Sequence, residues 1–173
     1  YGYQKDEIYL SGSSAGAHLV MMMALTDWHQ YAHISDTFIK GICAVSGIYD
    51  LTPIAQTYIN EPLQLTDDEI QQNSPLLMPI ATKRLPACQL ILAYGENETS
   101  EFKRQTNAMT SLLRSKDLSV AVNEIPHRNH FDVILDLADA DSWLSQQVLI
   151  KWPSVTHLLA TGLKQMFNKQ TRT

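Results

Sequence analysis

Short runs of apolar residues alternate with longer segments of helical character along the chain. Residues 17–25 and 101–116 favour helices, and the first of these is apolar almost all round, which predicts burial on several sides. Thr66 with Glu69 forms a capping-box pattern at the start of a further helix. Four shorter runs are rich in β-branched residues and end at Gly, Ser or Pro, which predicts strands at residues 7–11, 39–46, 89–95 and 119–125. This alternation predicts a mostly parallel sheet with helices on both faces, the three-layer α/β class.

The remaining segments fit one domain over residues 1–173. The proline-rich stretch 53–86 interrupts the alternation, and we expect it to form a lid-like excursion. Residues 141–173 predict terminal helices whose last apolar stripe packs on the sheet or on a partner subunit. A strand in a parallel sheet needs neighbours on both edges. We therefore expect N-terminal strands beside residues 7–11 to come from outside residues 1–173.

Composition narrows the classes of partner. The formal charge is −5, and no run of Lys or Arg suggests binding to nucleic acid or to a membrane surface. No stretch approaches the roughly 20 apolar residues that span a bilayer. Cys43 and Cys88 lie in apolar segments without a CxxC pattern or a Cys/His cluster, so we expect buried reduced thiols, no metal site and a cytoplasmic location.

The segment Gly12-Ser13-Ser14-Ala15-Gly16 matches G-x-S-x-G, with a predicted strand before it and a predicted helix after it. A sharp strand-to-helix turn strains the serine and requires small neighbours, a condition that Gly12 and Gly16 meet. Ser14 is therefore the candidate nucleophile. The helix N-terminus can stabilise a developing oxyanion, and the backbone amide of Ala15 is the natural donor.

A nucleophilic serine needs a histidine as base and a carboxylate that orients it. Candidates follow the later strands in the order acid then histidine: Glu96, Glu98 and Glu101 come after the third strand, and their chemistry alone leaves all three open. His127 and His130 follow the fourth strand, and we prefer His130 because it lies deeper in the loop. Structural roles are expected for the other histidines, at positions 18, 29, 33 and 157.

Several longer segments make the sequence resemble the kynurenine formamidases (arylformamidases) of the α/β-hydrolase superfamily, over about residues 8 to 140. These segments are 12–19, 46–53, 74–76, 95–105 and 130–132. The resemblance implies a C-terminal portion of that fold, without a cofactor. It also implies that Glu98, three residues after the strand-end glycine, is the acid. The implied reaction is hydrolysis of N-formylkynurenine to kynurenine and formate in tryptophan breakdown, through a formyl-enzyme intermediate on Ser14 with His130 as base.

Two departures from the family pattern shape the alternatives. Many relatives carry Asp where this chain has Glu98, and their upstream His-Gly-Gly oxyanion loop is absent from these residues. Each missing donor costs about 10²- to 10³-fold in rate, so we expect the isolated chain to be poorly active or inactive.

One alternative is a carboxylesterase or lipase-like enzyme acting on short acyl esters. Another is an inactive fragment or split-protein subunit that forms a homodimer or pairs with a missing N-terminal half. Tyr49, Tyr58, Asn60 and Glu61 of the excursion region are expected to pack or face solvent.

Overall fold

The computed structural model describes residues 7–80, 85 and 88–152. Within these residues the chain forms strands and helices that alternate in the predicted order. The elements are β1 (Ile8–Ser13), α1 (Ala15–Leu25), α2 (Trp28–Ala32), β2 (Ile39–Val45), α3 (Thr52–Ala55), α4 (Asn60–Leu63), α5 (Asp67–Asn73), β3 (Gln89–Gly95), α6 (Ser100–Arg114), β4 (Val120–Ile125), a 3-10 helix (Val133–Ala138) and α7 (Trp143–Lys151).

The four strands form one parallel sheet in the order β1-β2-β3-β4, so each strand lies beside its neighbour in sequence. Gly12 is level with Ala44 of β2, and Ala44 is level with Leu92 of β3. Because all four strands run in the same direction, their C-terminal ends lie along one edge. The residues that follow the strands are therefore brought together.

Alternate residues of the central strands enter two separate apolar clusters. Ile42 and Leu92 pack with α1 and α6 on one face of the sheet, whereas Cys43 and Ile91 pack with the 3-10 helix and α7 on the other. All four of these side chains are completely buried. Burial of a side chain such as Leu or Ile contributes about 1.5–3 kcal/mol, so both faces of the sheet stabilise the fold. The three-layer arrangement with helices on both faces is confirmed.

Some elements differ from the sequence prediction. The apolar helix α1 is not buried all round: Leu19 is 59% exposed, because α1 packs on β1 and β2 through its opposite side. The segment after His130 forms a 3-10 helix, and its N-cap residue Asp132 accepts a hydrogen bond from the Asn129 backbone N–H. Of the predicted terminal helices, α7 lies in the described chain, and the apolar stripe at residues 155–166 lies outside it.

The excursion consists of the short helices α3, α4 and α5, and α5 begins with the predicted capping box of Thr66 and Glu69. Two hydrogen bonds connect the start of the excursion to its end. The Leu51 N–H donates to Ser74 Oγ at 2.9 Å, and the Leu76 N–H donates to the Tyr49 carbonyl at 2.8 Å. The excursion therefore leaves the core after β2 and returns to the same place.

Both cysteines are buried and free, as predicted. Burial raises the pKa of Cys43 and of Cys88 to about 12, so both thiols stay neutral at physiological pH. Among the described residues, no helix has the length and apolar character needed to span a membrane.

Candidate active site

The first residue beyond a strand repeats one backbone contact along the C-terminal edge of the sheet. The Ser14 N–H donates to the Val45 carbonyl at 2.9 Å, and the Ser46 N–H donates to the Ala93 carbonyl at 2.8 Å. Glu96 N–H donates in the same way to the carbonyl that ends β4. These bonds extend the parallel ladder by one residue past each strand, so the loops that carry the candidate residues start from fixed positions.

Ser14 occupies the strained turn that the motif predicts, with φ 57° and ψ −119°. A non-glycine residue at positive φ costs of order 1–3 kcal/mol, which the surrounding fold must offset. Gly12 is required here, because a Cβ on it would lie 2.3 Å from the Gly16 carbonyl oxygen. A Cβ on Gly16 would meet no atom of the described chain within 4 Å. Only the first of the two predicted small-residue positions is therefore sterically demanded.

The structure brings Ser14, His130 and Glu98 into one hydrogen-bonded line. Ser14 Oγ lies 3.0 Å from His130 Nε2, and His130 Nδ1 lies 3.0 Å from Glu98 Oε2. The carboxylate can accept a hydrogen bond from the Nδ1–H of the imidazole, and in that tautomer Nε2 is free to accept one from the Ser14 hydroxyl. The Glu98 side chain is fully buried, whereas that of His130 is 21% exposed.

The second oxygen of Glu98 is bound from the other side by two donors. Glu98 Oε1 accepts a hydrogen bond from Ser46 Oγ at 2.5 Å and another from the Gly95 N–H at 2.7 Å. Ser46 directly follows β2 and is completely buried. Sequence reasoning missed this residue, although its position after a strand, on the same edge as Ser14, could have drawn attention to it.

The two other candidate acids are engaged elsewhere. Glu96 Oε2 accepts the backbone N–H of His127 at 2.7 Å. Glu101 lies in the first turn of α6, where Arg104 donates two hydrogen bonds to it and lowers the pKa of its carboxyl group. His127 itself turns outward, with a side chain that is 92% exposed. Of the alternatives that the sequence left open, the pair of Glu98 and His130 is the one that reaches Ser14.

Two curated relatives, both described as kynurenine formamidase, match the chain. The protein from Salmo salar is 41% identical over 144 residues, which are 82% of this chain and 48% of the relative. The protein from Danio rerio is 40% identical over 145 residues, which are 83% of this chain and 48% of the relative. The chain thus spans about half the length of the curated relatives it matches. No protein-family profile matches it.

Solved structures of esterases and related proteins superpose on the chain. A candidate thioesterase from Silicibacter sp. tm1040 is 26% identical with a TM-score of 0.64, covering 80% of this chain and 49% of that one. Esterase B from Lactobacillus rhamnosis is 15% identical with a TM-score of 0.57, covering 96% and 58%. The chain has the α/β-hydrolase fold. Its similarity to the kynurenine formamidases agrees with the family resemblance of the sequence.

In this α/β-hydrolase, two phenylalanine rings surround the imidazole of His130. The Phe102 ring stacks on it at 4.1 Å between ring centroids with 28° between the planes. Phe131 meets the imidazole edge-on at 5.5 Å and is 85% exposed. Stacking of this kind restricts rotation of the imidazole, so Phe102 helps keep Nε2 directed at Ser14.

Gln105 connects the segments 46–53 and 95–105 of this α/β-hydrolase through hydrogen bonds. Its side chain is buried, and Oε1 accepts the backbone N–H groups of Tyr49 at 2.6 Å and Asp50 at 2.8 Å. Its Nε2 donates to the Asp50 carbonyl at 3.1 Å. Helix α6 thereby fixes the start of the loop that follows Ser46.

The remaining candidates lie apart from this line of contacts. His18 Nε2 bonds to the Asn73 carbonyl at 2.7 Å and joins α1 to the end of α5. The Tyr49 ring is completely buried against Gly47, and Tyr58 is 80% exposed. His157 lies outside the described residues. Within the part of the chain that the structure describes, no cluster of three His, Cys, Asp or Glu side chains could hold a metal ion.

Proposed function

We propose that this chain carries the reacting groups of a serine hydrolase that cleaves aryl formamides, with N-formylkynurenine as the substrate. The observation that carries the proposal is the line of contacts from Ser14 Oγ to His130 to Glu98, with 3.0 Å at each step. The choice of substrate rests on the similarity to relatives described as kynurenine formamidase. Formate and kynurenine are the expected products, and no cofactor is needed for this chemistry.

In the first half-reaction, Ser14 Oγ attacks the formyl carbon while His130 Nε2 takes its proton. The Ala15 amide, in the first turn of α1, has no partner within its helix and donates to the developing oxyanion. The C–N bond then breaks, His130 gives its proton to the leaving arylamine, and a formyl ester remains on Ser14. Glu98 stabilises the imidazolium that exists between the two proton transfers.

In the second half-reaction, His130 removes a proton from water, and the resulting hydroxide attacks the formyl ester. The ester C–O bond breaks, Ser14 recovers its proton from His130, and the product leaves as formic acid, which loses a proton to water to give formate. Ala15 is the only oxyanion donor proposed within these residues. Each further donor is worth about 10²- to 10³-fold, so we expect the 173-residue chain to turn over slowly.

The test compares an aryl formamide with a short ester. Purified chain is incubated with N-formylkynurenine or with p-nitrophenyl acetate, and release of arylamine, formate or nitrophenol is followed, with Ser14→Ala as the blank. Serine-dependent release from the formamide supports the proposal. Release from the ester alone would replace the formamidase with a carboxylesterase. Equal rates with Ser14→Ala would remove Ser14 from the role of nucleophile.

We further propose that β1 acquires a second neighbouring strand, from a second copy or from a segment outside these residues. In the described sheet, β1 is the first strand in the order and pairs there with β2. An open strand edge readily pairs with another chain. Light scattering at increasing concentration tests for a homodimer, and a mass that stays at 19.5 kDa would exclude one.

The buried free thiols support a reducing, cytoplasmic location.

A further inference from the structure

Ser46 combines three properties that are rarely found together in a serine. It is completely buried, it has a positive φ of 51°, and its hydroxyl donates to the carboxylate of Glu98. Its backbone N–H is also used, in the bond to the Ala93 carbonyl. The backbone position of this hydroxyl is therefore fixed by the sheet, and its side chain has one specific partner.

The backbone conformation indicates that the hydroxyl has a purpose beyond filling space. Positive φ favours glycine, and a serine in this conformation strains the backbone. Glycine would relieve that strain, because it has no Cβ and adopts positive φ readily. The hydroxyl of Ser46 is the group that glycine would lack, and its contact with Glu98 offsets the strain.

Glutamate needs such a contact more than aspartate does. Its side chain has one more rotatable bond, so holding its carboxylate in one orientation costs more conformational entropy. Ser46 Oγ and the Gly95 N–H bind Oε1, which leaves Oε2 directed at His130 Nδ1. Two donors on one oxygen fix the rotation of the carboxylate as well as its position.

We propose that Ser46 is a positioning residue for the acid, and that it is matched to the length of glutamate at position 98. The inference rests on the proposed function, because it assigns Glu98 the role of orienting His130. Ser46 acts through Glu98 and does not touch the substrate. An aspartate at position 98 would withdraw its carboxylate by one methylene and lose the contact with Ser46.

The test is a cycle of variants. Ser46→Ala and Ser46→Gly are each made with Glu98 present and with Glu98→Asp. For each variant, kcat and KM are measured on N-formylkynurenine, or on p-nitrophenyl acetate if the chain hydrolyses only the ester. With Glu98, we expect both variants to lower kcat by about 10- to 100-fold with little change in KM, as loss of an orienting partner does. With Glu98→Asp, we expect the same substitutions to lower kcat by less than about threefold.

Comparison of Ser46→Gly with Ser46→Ala separates the effect of the lost hydroxyl on activity from the effect of backbone strain on stability. Glycine relieves the positive φ and alanine does not, so Ser46→Gly should melt at a higher temperature than Ser46→Ala although both lose the same activity. If kcat instead follows the melting temperature, or falls equally with Glu98 and with Glu98→Asp, Ser46 has only a structural role and the inference is overturned.

A second readout keeps this inference distinct from the proposed function. The His130 Nδ1–H, bonded to a carboxylate, should give a downfield proton NMR signal in the wild-type chain whether or not the chain hydrolyses a substrate. We expect Ser46→Ala to shift this signal upfield or lose it to exchange with water. Ser14→Ala is the matched control and should retain it. An unchanged signal in Ser46→Ala would overturn the inference even in an active enzyme.

Discussion

Two adjacent strands of the sheet end in turns that begin alike and serve opposite purposes. Ser14 after β1 and Ser46 after β2 both have positive φ, of 57° and 51°, and both donate their backbone N–H to the next strand. The Ser14 hydroxyl faces His130 at 3.0 Å, whereas the Ser46 hydroxyl points into the interior and binds Glu98. Under the proposed function, the same residue type in a similar backbone conformation is placed once for reaction and once for support.

The element after each turn accounts for the difference. The Ser14 turn runs directly into α1, which leaves the serine at the helix N-terminus and half-exposed. The Ser46 turn runs into an irregular loop that hydrogen bonds from Gln105 attach to α6, and Ser46 is completely buried. The chemistry of a strand-end serine is therefore set by the next element, and the local motif alone does not determine it.

The largest expected effect separates the two serines by reactivity. A fluorophosphonate that phosphonylates nucleophilic serines should modify Ser14 and leave Ser46 unmodified, because Ser46 is buried and faces a carboxylate. Peptide mass spectrometry locates the adduct. His130→Ala should slow labelling by about 10⁴-fold, since the serine loses its base. An adduct on Ser46 would contradict the assignment of roles.

The next effect concerns the stability of the first turn. Gly12→Ala should lower the free energy of unfolding by about 3 kcal/mol, because the added Cβ meets the backbone of Gly16 and the helix must shift. Denaturant unfolding measures this change.

Gly16→Ala is the matched control for that substitution. Its Cβ meets nothing in the described chain, and alanine is the better helix former, so the stability should stay equal or rise slightly. Equal destabilisation by both substitutions would mean that the close approach at Gly12 is not what shapes the turn.

A smaller effect tests whether Gln105 stabilises the loop that follows Ser46. Gln105→Leu leaves the buried backbone N–H of Tyr49 without its acceptor and removes the same acceptor from Asp50, which should cost about 2 kcal/mol of stability. Gln72→Leu, on the exposed side of α5, is the control and should change stability by less than about 0.5 kcal/mol. Matching losses would show that the Gln105 contacts do not hold the loop.

The smallest effect is a dependence on alkaline pH. Burial raises the pKa of Cys43 from 9.0 to about 12, so the folded state keeps the thiol neutral while the unfolded state ionises it. The stability that this thiol contributes is complete below pH 9 and is lost as pH rises towards 12. Between pH 8 and about pH 10 we expect Cys43 to contribute a loss of about 1 kcal/mol, which Cys43→Ala removes while the similar contribution of Cys88 remains. An unchanged slope in that variant would contradict the assignment.

Much of the fold can be predicted from the sequence because strand and turn signals are local. The strand before Ser14 and the glycine beside it could be recognised without knowledge of distant residues. The choice among Glu96, Glu98 and Glu101 depends on contacts with His127, His130 and Arg104, which depend on how loops from different strands meet. The residues alone left that choice open, and only the family resemblance indicated Glu98.

Ser46 escaped prediction for the same reason. Its neighbours in sequence, Val45 and Gly47, describe the end of a strand, and nothing local indicates a carboxylate from the next strand's loop. The role of a buried polar residue depends on its partner, which the fold supplies from 52 residues away.

The all-parallel order of the strands has a consequence for how the protein folds. Every neighbouring pair of strands is separated by a helix or by the excursion, so each pairing must close a long loop, and contacts of this kind form slowly. Ser14 and His130 follow the first and last strands of the described sheet and meet only when all the intervening pairings exist. Reactivity of Ser14 in a refolding experiment would therefore report completion of the native topology, later than the signals of collapse and helix formation.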